Sequence, residues 1–309
     1  MRLLIIVNSF ASSVTARNKV LIRQALRRDH DVAMVETNRR GHATRFAQDA
    51  ASRGVEVVIA LGGDGTLNEV ANGLVGTETA LAVLPGGSTN VFARTIGLPN
   101  DPVPAAQMLV RALAAGSITP VGFGQVNGRY FTFHTGIGYD AAVVAAVERR
   151  ASLKRWAGHP LFVWAALSTW LRGYDRHQPH FRLCMTDGTQ VSDGYFTVVL
   201  NTNPYTYLGN RPLDLSPAAT LERPLVAVTF RTMKAGVIIT TLAKALKGGG
   251  VESGPLVDCR TDLAGLVVES DVPFPYQVDG DHLGDTRRLQ FRHVPAAVRL
   301  VLPSSTPAS

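Results

Sequence analysis

The chain has 309 residues, 46% of them hydrophobic and 18% charged, so it is long enough for two domains with their own cores, and its composition excludes disordered and fibrous proteins. A formal net charge of +7 favours a polyanionic neighbour. Its two cysteines, Cys184 and Cys259, exclude a disulfide framework and fit a reducing cytoplasm. We expect the amino terminus to be a first strand and not a signal peptide, and no apolar run reaches the roughly 18 residues of a membrane span.

Up to about residue 117, short β-rich runs alternate with helical periodicity, which is typical of an α/β layer with a parallel sheet. Strands are predicted at Leu3–Val7, Asp31–Val35, Val55–Leu61 and Ala80–Leu84. Helices are predicted at about 15–28, 42–53, 67–75, 89–96 and 102–115. Open parallel sheets bind ligands beyond the carboxyl ends of their strands, so we expect a site in the loops that follow these four strands.

After about residue 118, many short strands with Gly, Asn and Pro between them indicate a mostly antiparallel β domain. The predicted strands are Tyr130–Thr135, Phe181–Met185, Tyr195–Leu200, Leu225–Phe230, Gly265–Val268 and Val298–Leu302, with helical insertions at about 140–172 and 234–246. The sequence therefore predicts a doubly wound α/β domain over 1–120 and a β-sandwich-like domain over 121–294. The last strand, at about 295–303, can return to the first domain.

The third predicted strand leads directly into Gly62-Gly63-Asp64-Gly65-Thr66-Leu67-Asn68-Glu69. Glycines allow tight turns and let backbone N–H groups approach a phosphate closely. Thr66 and Glu69 have the spacing of a capping box, so a helix is expected to start here, and its positive dipole end adds to an anion site. A plain glycine-rich turn is the alternative interpretation.

Asp64 is unexpected in such a turn, because its carboxylate would repel a phosphate unless a cation lies between them. Magnesium is the natural mediator, so we predict that Asp64 takes part in metal binding, directly or through the nucleotide. The turn has neither the G-x-G-x-x-G pattern nor the Walker pattern, which disfavours hydride transfer and P-loop chemistry.

A second glycine-rich turn follows the next strand, in Leu84-Pro-Gly-Gly-Ser-Thr-Asn-Val-Phe-Ala-Arg94. It again brings small hydroxyl residues to the start of a helix, at the same predicted sheet edge. We therefore predict two adjacent anion-ready turns, with Ser88 in the second. Ordinary helix capping by Ser88 and Asn90 is the alternative.

The segments GGDGTLNEV and LPGGSTNVFARTIGLP together resemble the diacylglycerol kinase catalytic-domain family, which includes bacterial soluble diacylglycerol kinases and sphingosine and ceramide kinases. Thr37 with Gly41, the segment 124–128 and the turn 278–281 resemble further family features in the same order. The resemblance implies an ATP-dependent lipid kinase with Mg²⁺ as cofactor. It also implies that Thr37, Gly62 to Asn68 and Ser88 contact ATP, and that Asp281, where the family usually has Glu, is the general base.

Three positions depart from the family pattern: Arg223-Pro224 replaces an Asp-Gly, Gly122 replaces an Asp, and the segment 8–13 replaces an Asn-Pro-x-Ser-Gly turn. The first puts the accessory magnesium site of some relatives in doubt, with Glu222 as a candidate substitute, and the second thins the carboxylate network around the metal. For Asp281 the alternative is a solvent-facing residue after an ordinary Asp279-Gly280 hairpin turn.

Between Arg149 and Arg182 the chain has seven Lys or Arg, one acid and all three tryptophans. Cations attract anionic lipid head groups and tryptophan suits the membrane interface, so we predict that this segment docks on an anionic membrane surface. The protein would then be cytoplasmic and peripheral at the inner membrane. Core tryptophans and a solvated basic face are the alternative. No nucleic-acid motif is present, and a homodimer is left open.

Diacylglycerol is the predicted lipid substrate, with phosphatidic acid as product, because the compact two-domain length resembles the bacterial enzymes. Kinases for sphingosine, ceramide or phosphatidylglycerol are alternatives. An NAD kinase shares the GGDGT turn but lacks the Leu-Asn-Glu continuation together with the second turn. The departures described above also fit a catalytically weak or non-catalytic lipid- or nucleotide-binding relative.

Overall fold

A computed structural model describes residues 1–149 and 163–303 of the chain. The chain forms two compact units. Unit 1 consists of Met1–Val121 with the segment from Ala296 onward, and unit 2 of Gly122–Pro295. No helix within the described ranges is both long and apolar enough to cross a membrane.

Unit 1 is built around a parallel sheet. Its strands are β1 (Arg2–Asn8), β2 (Asp31–Thr37), β3 (Val57–Gly62) and β4 (Ala80–Pro85), in the order β4-β3-β1-β2. Its helices are α1 (Ala16–Leu26), α2 (His42–Ser52), α3 (Asp64–Leu74), α4 (Val91–Thr95) and α5 (Pro102–Ala114). The helix α1 packs with α5 and α2 packs with α3, and right-handed crossovers place these pairs on opposite faces of the sheet. The predicted α/β fold is confirmed.

The strand register brings the carboxyl ends of the four strands together. Asn8 at the end of β1 pairs with Thr37 at the end of β2, and Gly62 at the end of β3 pairs with Pro85 at the end of β4. Both β3 and β4 are buried along their whole length, because helices cover both faces of the sheet. The loops after these strands therefore start at one edge of a rigid layer.

Unit 2 is mostly antiparallel. Its strands are β5 (Ile118–Val126, which begins in unit 1), β6 (Arg129–Phe131), β7 (His134–Gly138), β8 (Phe181–Met185), β9 (Gln190–Gly194), β10 (Phe196–Leu200), β11 (Thr206–Leu208), β12 (Arg211–Leu213), β13 (Leu225–Phe230), β14 (Val257–Leu263), β15 (Gly265–Val278) and β16 (Asp281–Val301, which ends in unit 1). Its helices are α6 (Tyr139–Glu148), residues 163–168 with the π-helical turn Thr169–Gly173, and α7 (Ala235–Leu246).

The strand β15 connects two parts of the unit 2 sheet. Its residues 276–278 pair with β7, in the series β14-β13-β10-β7-β15, and its residues 266–269 pair with β8. A core fills the space between the two parts, with Phe131, Ile137, Leu183, Phe274 and Phe291 among its members. Helices cover a second apolar cluster on β10 and β13. The prediction of antiparallel strands with helical insertions is confirmed.

One predicted strand of unit 2 is wrong. The sequence predicts a single strand over Tyr130–Thr135, whereas the chain forms β6 and β7 with a break at Thr132 and Phe133. At the break, the backbone N–H groups of these two residues turn toward the carboxylate of Asp279. A carboxylate 147 residues further along the chain cannot be recognised from a local pattern of apolar residues.

Candidate functional site

The first glycine turn ends in the open amino terminus of α3. The helix begins at Asp64, with Gly63 as an extended residue before it. Its first intrahelical hydrogen bond runs from the Leu67 N–H to the Gly63 carbonyl oxygen at 3.1 Å. The N–H groups of Gly65 and Thr66 precede that bond, so they have no acceptor within the helix and are available to an anion.

The second glycine turn packs directly against the first. The Gly86 N–H donates to the Gly62 carbonyl oxygen at 2.7 Å. A Cβ atom at Gly86 would lie 2.8 Å from the Gly62 Cα and 2.7 Å from the Val14 Cγ2, which is closer than Cβ atoms approach such groups. Glycine is therefore required at 86, and the two turns form one rigid platform.

Asp64 braces this platform. Its carboxylate accepts hydrogen bonds from the backbone N–H groups of Val91 at 3.0 Å and Phe92 at 3.2 Å, at the amino terminus of α4. Asp64 therefore occupies these two donors at the start of α4, and the predicted anion contact of the second turn through Ser88 stays a prediction. Each carboxylate oxygen has a further lone pair, so a metal contact by Asp64 stays a prediction.

The predicted capping box is also wrong. The helix α3 starts two residues before Thr66, and Glu69 caps a different helix: its carboxylate accepts from the N–H groups of Gly41 at 2.8 Å and Ala43 at 3.1 Å, at the start of α2. The Thr66 hydroxyl oxygen accepts from the Asn8 side-chain amide at 3.2 Å. Both side chains thus fix neighbouring loops at the edge of the sheet.

The other predicted ATP contacts lie in different surroundings. Thr37 ends β2 and is buried, and its hydroxyl donates to the Val7 carbonyl oxygen at 3.3 Å. Ser88 is exposed in the second turn. The side chains of Leu67 and Asn68 are only 3% and 1% exposed, so they lie in the protein interior and hold α3 in place. Sheet register and helix start thus bring Thr37 and the first turn to one edge.

Asn90 has a larger role than helix capping. It adopts a left-handed conformation with φ of 49°. Its side chain accepts from the Gly87 N–H at 2.8 Å and donates to the Gly87 carbonyl oxygen at 2.8 Å and to Asn100 at 2.6 Å. These bonds close the second turn. The signal in the sequence was the asparagine itself, which tolerates this conformation better than most residues.

In unit 2, a two-residue turn at Asp279 and Gly280 connects β15 to β16 and pairs Val278 with Asp281. Both turn residues have positive φ, 47° and 82°, which an Asp-Gly pair accepts readily. The buried Asp279 carboxylate accepts four hydrogen bonds of 2.7–3.1 Å, from the N–H groups of residues 132–134 and the Thr132 hydroxyl. Asp279 is thus an anchor of the hairpin.

A second series of hydrogen bonds also holds the Asp279-Gly280 turn in place. The Gly280 N–H donates to the Gln277 side-chain oxygen at 2.8 Å, and the Gln277 amide donates to Asp140 at 2.9 Å. The Tyr205 hydroxyl donates to the other Asp140 oxygen. Burial raises the pKa of Asp140, and these two hydrogen bonds act in the opposite direction. The sequence did not indicate Asp140, Tyr205 or Gln277.

Asp281 follows this doubly anchored turn as the first residue of β16. Its side chain is 28% exposed, and one of its oxygens lies 3.7 Å from the Arg129 guanidinium, in a long ion pair. Glu148 accepts a hydrogen bond from the backbone N–H of the next residue, His282, at 3.2 Å. Asp281 is therefore a partly exposed carboxylate on a hairpin that hydrogen bonds hold in place, and its role as general base stays a prediction.

The positions that depart from the family pattern have structural partners. Next to Gly122, a Cβ atom would lie 2.3 Å from the His293 ring nitrogen, so the imidazole occupies the space that an aspartate would need. Arg223 pairs with Asp262 through contacts of 3.0 and 2.5 Å, and Glu222 is exposed. In the part of the chain that the structure describes, no three His, Cys, Asp or Glu side chains cluster as a metal site. These residues do not fit an accessory protein-held metal.

An anion-ready helix terminus at the carboxyl edge of a parallel sheet is typical of proteins that bind phosphate groups. The sequence model of the diacylglycerol kinase catalytic domain matches residues 2–126. A YegS-like protein of Pseudomonas aeruginosa, described as a probable lipid kinase, is 30% identical over 270 residues, which cover 86% of this chain and 83% of that protein. The chain belongs to this diacylglycerol kinase-like family of lipid kinases.

A shorter sequence match and a shared fold complete the comparison. The diacylglycerol kinase of Bacillus subtilis is 45% identical over 94 residues, which cover 29% of this chain and 30% of that protein. A crystal structure of a diacylglycerol kinase from Bacillus anthracis shares the fold, with a TM-score of 0.73 and 21% identity over 99% of this chain and 98% of that one.

Proposed function

We propose that this protein transfers the γ-phosphoryl group of ATP to the hydroxyl group of diacylglycerol, which yields phosphatidic acid and ADP. The observation that carries the proposal is the first glycine turn, where the N–H groups of Gly65 and Thr66 precede the first hydrogen bond of α3. Membership of a lipid kinase family supports a lipid hydroxyl as acceptor.

In the proposed reaction, the lipid oxygen forms a bond to the γ-phosphorus while the bond from that phosphorus to the bridging oxygen of ATP breaks. The proton of the hydroxyl passes to Asp281. Asp279 is the less suitable acceptor, because its carboxylate already accepts four hydrogen bonds in a buried position. Phosphoryl transfer otherwise depends mainly on positioning and charge neutralisation.

For the nucleotide we propose a site at the carboxyl edge of the unit 1 sheet. The backbone of Gly62, Gly63, Gly65 and Thr66 would bind phosphate, with Thr37 and Ser88 as flanking hydroxyl groups. Since Leu67 and Asn68 are buried, we assign them to the support of the turn. The Asp64 brace keeps the two glycine turns together and so preserves the shape of the site.

Magnesium fits this site best as a partner of the nucleotide. Mg²⁺ usually binds through substrate phosphates and one or two carboxylates, and it neutralises phosphate charge when bound. We propose Asp64 as the carboxylate. An Asp64→Asn variant tests this: the Mg²⁺ concentration for half-maximal activity should rise, whereas an unchanged magnesium requirement would restrict Asp64 to its structural hydrogen bonds.

The function is tested by offering ATP labelled in the γ-phosphate together with diacylglycerol, sphingosine, phosphatidylglycerol or NAD in parallel reactions. We expect labelled phosphatidic acid. Label on another lipid alone would keep the lipid kinase and change its substrate, and label on NAD would contradict a lipid acceptor. No labelled product despite measurable ATP binding would favour a non-catalytic relative.

Membrane docking of the basic stretch stays a proposal, since Arg150, Lys154, Arg155 and Trp156 lie outside the described residues. Trp164 is 46% exposed, as a docking residue should be. Trp170 is partly buried instead, where it donates to the Met233 carbonyl oxygen at 3.3 Å. Co-sedimentation with anionic vesicles tests the docking: replacement of Arg149, Arg150, Lys154 and Arg155 by Ser should weaken binding, and unchanged binding would exclude it.

A further inference from the structure

The helix α7 exposes three of its four Ile and Leu side chains, whereas the fourth, Ile238, is half-buried against the core. Ile239 is 65% exposed, and Leu242 and Leu246 are each 39% exposed. The spacing of these residues, i, i+3 and i+7, places them on one helix face. The buried positions of the same helix are instead the small residues Thr241 and Ala245. A surface helix of a globular protein normally has the opposite arrangement.

A neighbouring helix has a similar exposed row. Val163, Trp164, Leu167 and Leu171 are 46–59% exposed, while Ala165 and Thr169 are buried. Trp170 of this helix and Ala245 of α7 pack in the same core cluster on β10 and β13, whereas Ala165 packs against α6. Among the described residues, fourteen large apolar side chains are exposed, and seven of them lie on these two helices. Such a concentration marks an interaction surface.

The charges around α7 indicate which partner this surface fits. Lys234 precedes the helix, Lys244 lies in its last turn and Lys247 follows it, and all three are exposed. No acidic residue occurs from 234 to 247. Lys244 makes a loose ion pair of 3.9 Å with Glu252, and Asp214, whose backbone N–H donates to the Ala245 carbonyl oxygen at 3.0 Å, is half-buried beside the carboxyl end of the helix. An apolar face flanked by lysines matches an anionic bilayer, in which acyl chains lie next to phosphate groups.

We propose that α7 lies in the interface of an anionic membrane, with Ile239, Leu242 and Leu246 inserted between lipids and the three lysines at the head groups. The inference rests on the proposed function, because a kinase for an insoluble lipid has to reach that lipid in a bilayer. A second copy of the chain fits this face less well, since two such helices in contact would bring their lysines together.

The test is co-sedimentation with vesicles of equal parts phosphatidylglycerol and phosphatidylcholine. The full chain should bind, and the double variant Ile239→Ser, Leu242→Ser should partition about 30-fold more weakly, as the loss of two inserted aliphatic side chains predicts. Val272→Ser is the matched control, because Val272 is 68% exposed on β15 and lies on neither helix, so its replacement should leave vesicle binding unchanged.

The dependence of binding on salt concentration distinguishes the contribution of the lysines from that of the apolar side chains. A Lys244→Gln, Lys247→Gln variant should lose binding mainly at low ionic strength, whereas the serine variant should bind more weakly than the parent chain at both low and high salt. Thermal unfolding of each variant should match the parent chain, since every replaced side chain is exposed.

Undiminished binding by the serine variant would overturn the proposal. A parent chain that is dimeric and a serine variant that is monomeric, with equal vesicle binding, would also overturn it and assign the α7 face to self-association. The readout requires no phosphoryl transfer, so a failure of the kinase proposal is distinguishable from a failure of this one.

Discussion

The two turns that carry the proposed chemistry are built in opposite ways. In the glycine turn of unit 1, the Asp64 side chain is engaged by backbone N–H groups of the protein, and other backbone N–H groups remain for a ligand. In the hairpin of unit 2, the Gly280 N–H and the Asp279 carboxylate are both engaged within the protein. The Asp281 side chain stays partly exposed.

This difference predicts a division of labour, in which the glycine turn binds ATP and the hairpin takes part in phosphoryl transfer. A backbone site depends on shape, so an added Cβ atom damages it and a change of side-chain charge elsewhere does not. A side-chain site depends on one functional group, so an isosteric replacement removes its chemistry while the fold is kept. We expect changes in the glycine turn to alter ATP affinity and changes in the hairpin to alter the rate of transfer.

The largest expected effect is that of Asp281→Asn. An amide cannot accept the proton of the lipid hydroxyl, so kcat should fall at least about 100-fold, while the dissociation constant of ATP should stay within about twofold. Steady-state kinetics and ATP titration measure the two quantities. Asp285→Asn is the control, because Asp285 is exposed on the same strand, and it should retain the parent rate.

The next effect is expected from Gly86→Ala. The new Cβ would lie 2.8 Å from the Gly62 Cα, so the two glycine turns have to separate. ATP affinity should fall about 30-fold, and the free energy of unfolding should fall by about 1–3 kcal/mol, as expected of overpacking. Gly236→Ala in α7, where an added Cβ would meet no atom within 4 Å outside its own helix backbone, is the control: it should leave ATP affinity intact and should not lower the free energy of unfolding. Normal ATP affinity in Gly86→Ala would disprove the shape requirement.

A smaller effect should follow from Gln277→Glu, which probes the bonds that position the hairpin. The new carboxylate can still accept from the Gly280 N–H, but it faces Asp140 with a like charge. We expect kcat about 10-fold below the parent at about pH 8, since repulsion displaces the turn. The ratio of variant to parent should recover as the pH is lowered, since the raised pKa of Asp140 lets the two carboxyls share a proton. A ratio that is constant with pH would exclude this role.

The smallest effect concerns stability. Burial lowers the pKa of His134 to about 3, from 6.5 for an ordinary histidine. In the unfolded chain the His134 imidazole becomes protonated below about pH 6.5, whereas in the folded chain it stays neutral down to about pH 3. Acidification between these two values therefore lowers the free energy of unfolding by up to about 1.4 kcal/mol per pH unit. His134→Gln should reduce the loss between about pH 7 and about pH 5 by about 2 kcal/mol. An equal loss in both proteins, measured by denaturant unfolding, would contradict the assignment.

The unit 1 fold was predictable because its information is local. Buried parallel strands form continuous apolar runs, and the predicted run Val55–Leu61 became β3 with a shift of two residues at its start. Glycines at 62, 63, 86 and 87 identified the turns for the same reason, since a close backbone approach leaves few other residue types available.

The remaining features of the candidate site depend on hydrogen bonds between residues that are far apart in the sequence. Glu69 has the spacing of a capping box, but it bonds to Gly41, 28 residues earlier. The Asp279 anchor and the Gln277–Asp140 contact connect residues 147 and 137 positions apart. No single-sequence pattern contains these pairs. The exposed face of α7 was hidden for a different reason: periodicity predicts a helix but does not say which face is buried.

The most direct test of the division of labour is the transfer rate of Gly86→Ala and Asp281→Asn at saturating ATP, measured in single turnovers with γ-labelled ATP and vesicles that contain diacylglycerol. We expect saturating ATP to restore Gly86→Ala to within about threefold of the parent rate, because its defect is in binding. Asp281→Asn should remain at least about 100-fold slower at every ATP concentration. Restoration of Asp281→Asn by ATP, or a rate of Gly86→Ala that stays low, would contradict the assignment of binding to the glycine turn and of proton transfer to the hairpin.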